Sequence, residues 1–591
     1  MTTDDPAPAS APTRRQVIHV GFDSCGGQAL ARLFRRNGLP VLCWDRGAAA
    51  AEIAYLAAAG RPPQPGWRDL ALLAELHSHA GPARPPIEAF RELDWIDRHF
   101  PDALIVMTTR EVELWLVERL CATDLNRSAP MTALHRGCAV SDLPRLWSDD
   151  WHAHLDAVRA RFGASGRYLE LDIDALDPPA LQRALAAQVP DLAVAASPLR
   201  SAPPDPARAL ALLHDDRPPA TRARGLVDQA TVDRLVAHCV GRVSPGTGDV
   251  TAAVSPLYAW FNGRQGAWRR DGGRWPLALG SDMGPPRRIF ARPGPHKIER
   301  LEGVVNDLRA VAFGKPFHID MQDGRRIGSD EGAPVGEPVL AYNRRAGAVN
   351  VALWPLPGVH AIGNPAFALA ESDDDLSFAD KIDAVVWRGS LSGNSRAPDG
   401  TLGPAAHTLF ARASRTPGDP SVWAHAERAA ATIPRAAILL AQADNPDMNL
   451  GLVPARVLQP FADRAPLAQL IRPRLSRREM LGYRYQLCLA GFDVGTSFIW
   501  AANSNSVVLN EEAGWEVYYS ALFRPWEHYI PLEPGCGDLA RRLDWARANP
   551  DACRAMSAAA RAAVRMLSDR GGQLAVMRAV TETLPPATFP F

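Results

Sequence analysis

The sequence predicts an α/β protein of more than one domain. Three observations carry this. Apolar runs with strand character, such as Gln16–Phe22 (QVIHVGF) and Ala103–Thr108 (ALIVMT), alternate with amphipathic helical stretches, which implies parallel sheets. A chain of 591 residues is too long for one hydrophobic core. Tyr483–Leu532 reads as a strand, a Gly-containing turn, a short helix, a second strand (Ser506–Leu509) and a helix ending before Pro525. In that order of elements, ligands sit at the carboxyl ends of parallel strands.

Residues 1–15 are proline-rich and lack an apolar h-region, which argues for a short disordered tail rather than a secretory signal. Gln16–Phe22 reads as a buried strand. Gln28–Asn37 reads as a helix with Leu30, Leu33 and Phe34 on one face, and Leu39–Trp44 is a further apolar run. Helices are expected over Ile87–Phe100, Glu111–Leu120 and Trp151–Phe162, and a last strand over Tyr168–Ile173. Leu199–Gly225 is proline-rich linker text. Domains are therefore expected at 16–200 and 246–591, joined by a linker over 201–245. In the second domain strands and long loops restart near Val254, and helices dominate after Val422.

Composition narrows the function. Lys+Arg and Asp+Glu both count 65, so net charge gives no reason to expect nucleic acid. Eight cysteines are spread singly, without zinc spacing, which points to a reduced cytoplasm and no metal. No apolar run reaches the length of a membrane span. Heavy use of Ala, Arg and Pro is that of a GC-rich bacterial coding sequence.

The first candidate site is Gly21–Gly27 (GFDSCGG), between a strand and a helix. Such a turn bares N–H groups at a helix start, which suits phosphate or sulfate, or else only permits close helix–strand packing. Gly21 and Gly26 have P-loop spacing, but Gly27 and Gln28 stand where Lys and Ser/Thr are needed. Together with PDALIVMTTREVELWL (Pro101–Leu116) and Trp151–Asp174, the turn resembles the bacterial sulfotransferase family over residues 16–175. That resemblance places Arg110 on the 3′-phosphate of the donor PAPS. Ser24 replaces the family's catalytic Lys and Glu118 its phosphate-facing Ser, so a degenerate, vestigial site is expected.

Three patches mark the second domain. FHIDMQDGRRIG delivers Asp323 just before a glycine turn: either a general base at a strand end or a common D-G turn. KIDAVVWRGSLSGNSR ends a strand in a Gly/Ser loop with Arg388, a guanidinium suited to a diphosphate or to a surface acid. The third is Tyr483–Leu532. Within it, Glu511 and Glu512 either bind ribose hydroxyls or form a solvated turn, and Trp526, His528 and Tyr529 look half structural.

Trp387-Arg388-Gly389-Ser390, the block Arg484-Tyr485 to Trp500, Ser504–Leu509 and LFRPWEHYIPL (Leu522–Leu532) together resemble glycosyltransferase family 90 over about residues 255–575. The resemblance implies a GT-B fold of two Rossmann-like halves, the donor half at about 430–575, following the parallel-sheet, P-loop-like sulfotransferase-like domain. It implies a nucleotide-sugar donor, UDP-linked, and an inverting transfer to a hydroxyl of a cell-envelope, capsule or lipopolysaccharide-type glycan. Asp323 would be the base. Arg388 and the amides near Gly495–Ser497 would stabilise the departing diphosphate, with no metal required. Implied donor-binding residues are Trp387, Gly389, Ser390, Gly491, Asp493, Gly495, Thr496, Ser497, Ser504, Asn505, Glu511 and Glu512. The family's polar positions near Ser497 and Ile499 differ here. The competing readings are a bifunctional glycosyltransferase–sulfotransferase and a non-catalytic scaffold. The expected location is cytoplasmic, with peripheral contact at the inner membrane face.

Overall fold

Strands buried on both faces need mostly apolar side chains, and the central strands of the first sheet have them. In the computed structural model β1 (Val17–His19), β2 (Val41–Cys43), β3 (Leu72–Ala74), β4 (Leu104–Thr109) and β5 (Tyr168–Asp172) form one all-parallel sheet in the order β2-β3-β1-β4-β5. Val17, Leu72, Leu104 and Val106 enter one core with Leu30, Leu33 and Phe34 of α1 (Gly27–Arg36). Their neighbours Ile18, Leu73, Ile105 and Met107 enter the other. The period of two thus divides the sheet between two cores.

The structure describes the chain apart from residues 1–14, 81–83, 122–128, 137, 194–206, 208–224, 246–248, 281–287, 296, 313, 361–373, 455–457 and 460–466. Most of the expected tail and half of the expected linker lie outside the described residues. The chain divides into two compact units, one of Met1–Pro219 with Pro276–Asn306, the other of Ala220–Trp275 with Asp307–Phe591. The chain thus passes from one unit to the other three times. The antiparallel pair Leu277–Leu279 and Ile289–Ala291 gives Ala278 and Phe290 to the first unit's core. Its neighbour Glu302, 1% exposed, accepts from Arg84, Arg288 and the Ala291 N–H.

Other local departures have tertiary causes. Ile87–Phe100, expected as one helix, is a short strand (Ile87–Glu88) paired with His77–Ser78, a 3-10 turn and a helix over only Leu93–His99. Glu88 is drawn from helical geometry to Arg91 and Arg119, at 2.8 and 2.7 Å. The helix expected from Trp151 starts at Leu143 and runs to Phe162, with Pro144 in its first turn, where a missing N–H costs nothing. α2 (Val112–Cys121) falls where expected.

The second unit holds two more five-stranded sheets. The first, in the order β10-β9-β8-β6-β7, comprises β6 (Ala259–Asn262), β7 (Gly266–Trp268), β8 (Phe317–Ile319), β9 (Val339–Ala341) and β10 (Val351–Leu353). Its β8, β9 and β10 run parallel, while β6 and β7 are antiparallel additions. The second is all parallel in the order β12-β11-β13-β14-β15, from β11 (Ile382–Gly389), β12 (Met448–Leu452), β13 (Tyr483–Cys488), β14 (Val507–Glu511) and β15 (Ile530–Leu532). Val385, Trp387, Tyr485, Leu487, Val507 and Leu509 share one of its cores. The expected linker contains a helix, Gln229–Val240, capped by the Asp228 carboxylate accepting the Thr231 N–H. It packs against the C-terminal helix Arg570–Thr583. The helix expected before Pro525 is only a 3-10 turn, Ser520–Leu522.

Buried ionisable groups make the first unit sensitive to acid. Burial pushes the Glu88 carboxyl up, but Arg119 and Arg91 outweigh it and hold it at about 2, against an ordinary 4.5. Burial, with His77 and His154 nearby, holds the His19 imidazole at about 3, against 6.5. Both folded values lie below the unfolded ones, so both contributions exist at neutral pH. They vanish as pH falls, His19's from 6.5 through about 3 and Glu88's from 4.5 through about 2. Glu88 accounts for about 3 kcal/mol of this by linkage. Glu88→Gln should lower Tm at neutral pH and flatten the loss of Tm between pH 4.5 and about 2, as read by calorimetry across that range.

Candidate active site

Parallel strands gather their carboxyl ends at one edge of a sheet, and the second unit's polar residues collect there. β8 is followed by Asp320, Asp323 and Gly324, and β9 by Tyr342 and Asn343. In the other sheet β13 is followed by the loop Leu489–Ser497, and β14 ends in Glu511 and Glu512.

The turn after β8 is built around buried Asp320. Its carboxylate accepts the Ser255 N–H at 2.8 Å and the Ser255 hydroxyl at 2.5 Å, and meets Arg325 at 3.1 Å. Gly324 follows at φ +59°, where a Cβ would lie 2.8 Å from the Phe492 carbonyl oxygen. Glycine is thus required for the turn to approach the loop after β13. Across this approach Asp493 Oδ2 accepts the Gly324 N–H at 3.0 Å and the Asn343 Nδ2 at 3.2 Å. The Tyr342 hydroxyl bonds the same Asp493 oxygen and reaches Asp323 Oδ1 at 2.7 Å. Burial, then Asp493 and Asp323, push the Tyr342 phenol far above its ordinary value, so it keeps its proton.

Beside this cluster lies a cavity of about 270 Å³, starting at Val494 and Gly495. Aromatic rings of Phe498, Trp515, Tyr519 and Tyr529 and the residues Glu511, Glu512 and Glu516 line it, and no Lys or Arg does so among the described residues. Glu516 is taken up by Arg344 at 2.7 Å. Glu511 clamps the Ala490 and Gly535 N–H groups, both at 3.0 Å, so its role here is to hold two loops. Glu512 is exposed, accepts from Asn510 at 3.0 Å and is hydrogen-bonded to Tyr529.

The loop after β13 owes its course to Arg435, at the start of the helix Pro434–Ala441. Its guanidinium donates to the carbonyls of Leu489 (2.9 Å), Ala490 (2.9 Å) and Ser390 (3.0 Å), and lies 5.5 Å over the Trp387 ring. Burial lowers it to about 10, with Glu511 and Asp493 opposing. Gly491 passes so close that a Cβ would meet Ser392 Oγ at 2.7 Å, and one on Gly495 would meet the Leu489 carbonyl at 2.8 Å. Thr496 is exposed, and the Ser497 hydroxyl turns to Cys488 Sγ at 3.5 Å.

Other sequence candidates sit apart from this cluster. Alternation along β11 sends Trp387 into the core and Arg388 to the opposite face. Arg388 donates to the Asn449 carbonyl and side chain, both at 2.8 Å, and to the carbonyls of Trp387 and Pro473, both at 3.0 Å. Gly389 leaves room for the Trp387 ring, which a Cβ would meet at 2.4 Å. Ser390 contributes its carbonyl to Arg435. Ser504 and Asn505 precede β14, at the amino end of the sheet and away from the cavity. Ser504 Oγ bonds the Ala501 carbonyl, and Asn505 bonds Asp374 and Leu376.

In the first unit Arg110 bonds the Ser24 carbonyl at 3.0 Å and Glu118 at 2.8 Å, with Asp174 at 3.9 Å. Its charge is taken up by carboxylates at the position where the sequence expects a phosphate. Glu118 lies eight residues on in the next helix, about two turns along the same face.

Sequence reasoning passed over Tyr342, Asn343 and Arg435. The first two end a buried strand (VLAYN), and polar residues after such a run were a usable signal. Arg435 follows a helix-starting proline and reads as an ordinary surface cation. Arg435→Met leaves the Leu489 and Ala490 carbonyls without their donor, at roughly 1–3 kcal/mol for each bond left unmade in the interior, while the exposed Ser390 carbonyl turns to water. We expect a loss of about 2–6 kcal/mol in urea unfolding, with the circular dichroism spectrum kept.

Residues 449–568, from β12 to the helix Pro550–Leu567, match the family model described as Glycosyl transferase family 90. The chain is similar to uncharacterized protein 027R of Frog virus 3 (isolate Goorha), 30% identical over 126 residues, 20% of this chain and 13% of that protein. It is also similar to uncharacterized protein 035R of Invertebrate iridescent virus 3, 50% identical over 44 residues, 7% of this chain and 4% of that one. Protein O-glucosyltransferase 3 of Mus musculus is 28% identical over 69 residues, 12% of this chain and 14% of its own. The matched segments span at most 14% of the length of these three relatives. The loop with Asp493, the cavity residues of β14 and the PWEHY turn all fall inside the family 90 match.

Proposed function

We propose that the second unit is an inverting glycosyltransferase of the GT-B kind. It moves a sugar from a UDP-linked nucleotide sugar to a hydroxyl of a cell-envelope, capsule or lipopolysaccharide-type glycan. The observation that carries the proposal is the meeting of Asp323 with the family 90 loop, through Tyr342 and Asp493, beside a cavity at strand carboxyl ends. The acceptor hydroxyl loses its proton to Asp323. Its oxygen forms the new bond to the anomeric carbon, on the face opposite the departing diphosphate, and UDP leaves with the electron pair of the broken bond.

The cavity's chemistry supports a nucleoside: aromatic rings suit a base, and Glu512 suits ribose hydroxyls. The diphosphate would then lie against the loop Gly495–Ser497, whose backbone N–H groups would face it. The similarity to mouse protein O-glucosyltransferase 3 makes glucose the first sugar to test. We read the first unit as non-catalytic, since Glu118 and Ser24 occupy Arg110. The reading places the protein in the cytoplasm or at the inner membrane face. No described helix is long and apolar enough to cross a membrane.

UDP should raise the Tm of the full chain, and UDP-glucose or another UDP-sugar should release UDP when an acceptor extract is added. Asp323→Asn should lower transfer by about 10²–10⁴-fold while keeping the UDP-induced rise in Tm. Full transfer by that variant would remove Asp323 as the base. No stabilisation by any nucleotide would favour a scaffold instead.

A further inference from the structure

We propose that Tyr342 is a two-position proton donor that tunes Asp323, and that Asp493 is its second acceptor, a positioning residue rather than a donor-binding one. The inference rests on the reading of Asp323 as the base. The argument is a count of protons. A phenol has one O–H to donate, yet the Tyr342 oxygen is within bonding distance of two carboxylates. Asp493 Oδ2 already accepts the Gly324 N–H and the Asn343 amide, so it is an acceptor in this cluster. When the phenol donates to Asp493, the 2.7 Å contact to Asp323 Oδ1 is a hydrogen bond only if Asp323 carries a proton and donates it. When Asp323 is ionised, the phenol turns its proton to Asp323, and Gly324 and Asn343 remain to hold the Asp493 charge.

The two states match the two ends of the proposed step. Before transfer Asp323 is ionised and held by the Tyr342 O–H. During transfer the acceptor O–H bond breaks and an Asp323 O–H bond forms. The phenol then rotates about its C–O bond and donates to Asp493. The acceptor oxygen bonds the anomeric carbon as the bond to the departing diphosphate breaks, and the phenol keeps its proton throughout. This explains why Asp493 is furnished with two N–H donors of its own, and why the loop after β13 must meet the turn after β8. Among the described residues, the charged or titratable groups facing the three include Arg435 and Tyr519, both acting on Asp493, and His360, whose ring lies 6.4 Å from that of Tyr342.

The test needs no known substrate. The full chain, carrying ¹³C-labelled aspartate, is titrated in the infrared. The carboxylic-acid band absent from Asp323→Asn reports the proton on Asp323. Asp493→Asn removes a like charge and fixes the phenol on Asp323. It should move the loss of that band down by about one pH unit. In a Tyr342→Phe background the same change should produce less than half that displacement. An unmoved titration in Asp493→Asn, or an equal displacement with and without the phenol, would overturn the proposal. Where transfer is measurable, the acid limb of kcat against pH should move in the same sense in Asp493→Asn, and an unmoved limb counts against it. Failure of the base reading is separate: it shows as full transfer by Asp323→Asn, whatever the infrared titration gives.

Discussion

The carboxylate of Asp493 is the constraint on which the second unit's site depends. One of its oxygens gathers the Gly324 N–H, the Asn343 amide and the Tyr342 phenol. Those three donors come from the turn after β8 and from the end of β9, whereas Asp493 belongs to the loop after β13. A single acceptor thus ties the carboxyl ends of two different sheets. A charge in that position is held by the Gly324 and Asn343 donors, which need not reorganise when the phenol turns.

Glycine and arginine make that meeting sterically and electrically feasible. Gly324 and Gly491 both approach neighbouring groups more closely than a side chain allows. Arg435 then draws the carbonyls of Leu489, Ala490 and Ser390 to itself. Buried carbonyls need partners, and one planar guanidinium satisfies three of them from a fixed fork. Arg388 does a similar service on the other face of the sheet, for Asn449 and Pro473. Two arginines near one strand end thus have different tasks because successive side chains point to opposite faces.

The first unit shows the same physics with the opposite outcome. Its glycine turn and its Arg110 have the placement of an anion site, yet Glu118 and the Ser24 carbonyl take the guanidinium. In its interior, burial, with His77 and His154, lowers His19, while Glu88 and Arg119 favour each other's charged form against burial. Polar groups of this kind commit a fold to one arrangement only when each is satisfied, and they make it depend on pH.

The sequence by itself determined the α/β class, the strands at Val17–His19, Leu104–Thr109 and Tyr168–Asp172, and the strand–turn–helix–strand order from Tyr483 to Glu511. Apolar periodicity and glycine punctuation are local properties, and they survive into the structure. It also singled out Asp323 and Glu512 as polar residues at strand ends, and the resemblance to family 90 added Asp493 and Gly495. Only the tertiary structure decided that strand Leu72–Ala74 inserts between β2 and β1, that Pro276–Asn306 belongs to the first unit, and that Ile87–Phe100 breaks. Only it decided that Ser504 and Asn505 lie at the far end of the sheet from the cavity, or that Tyr342 bridges two aspartates 170 residues apart in sequence. Pairing partners, burial and the direction of a side chain are set by residues distant along the chain, and no local pattern encodes them.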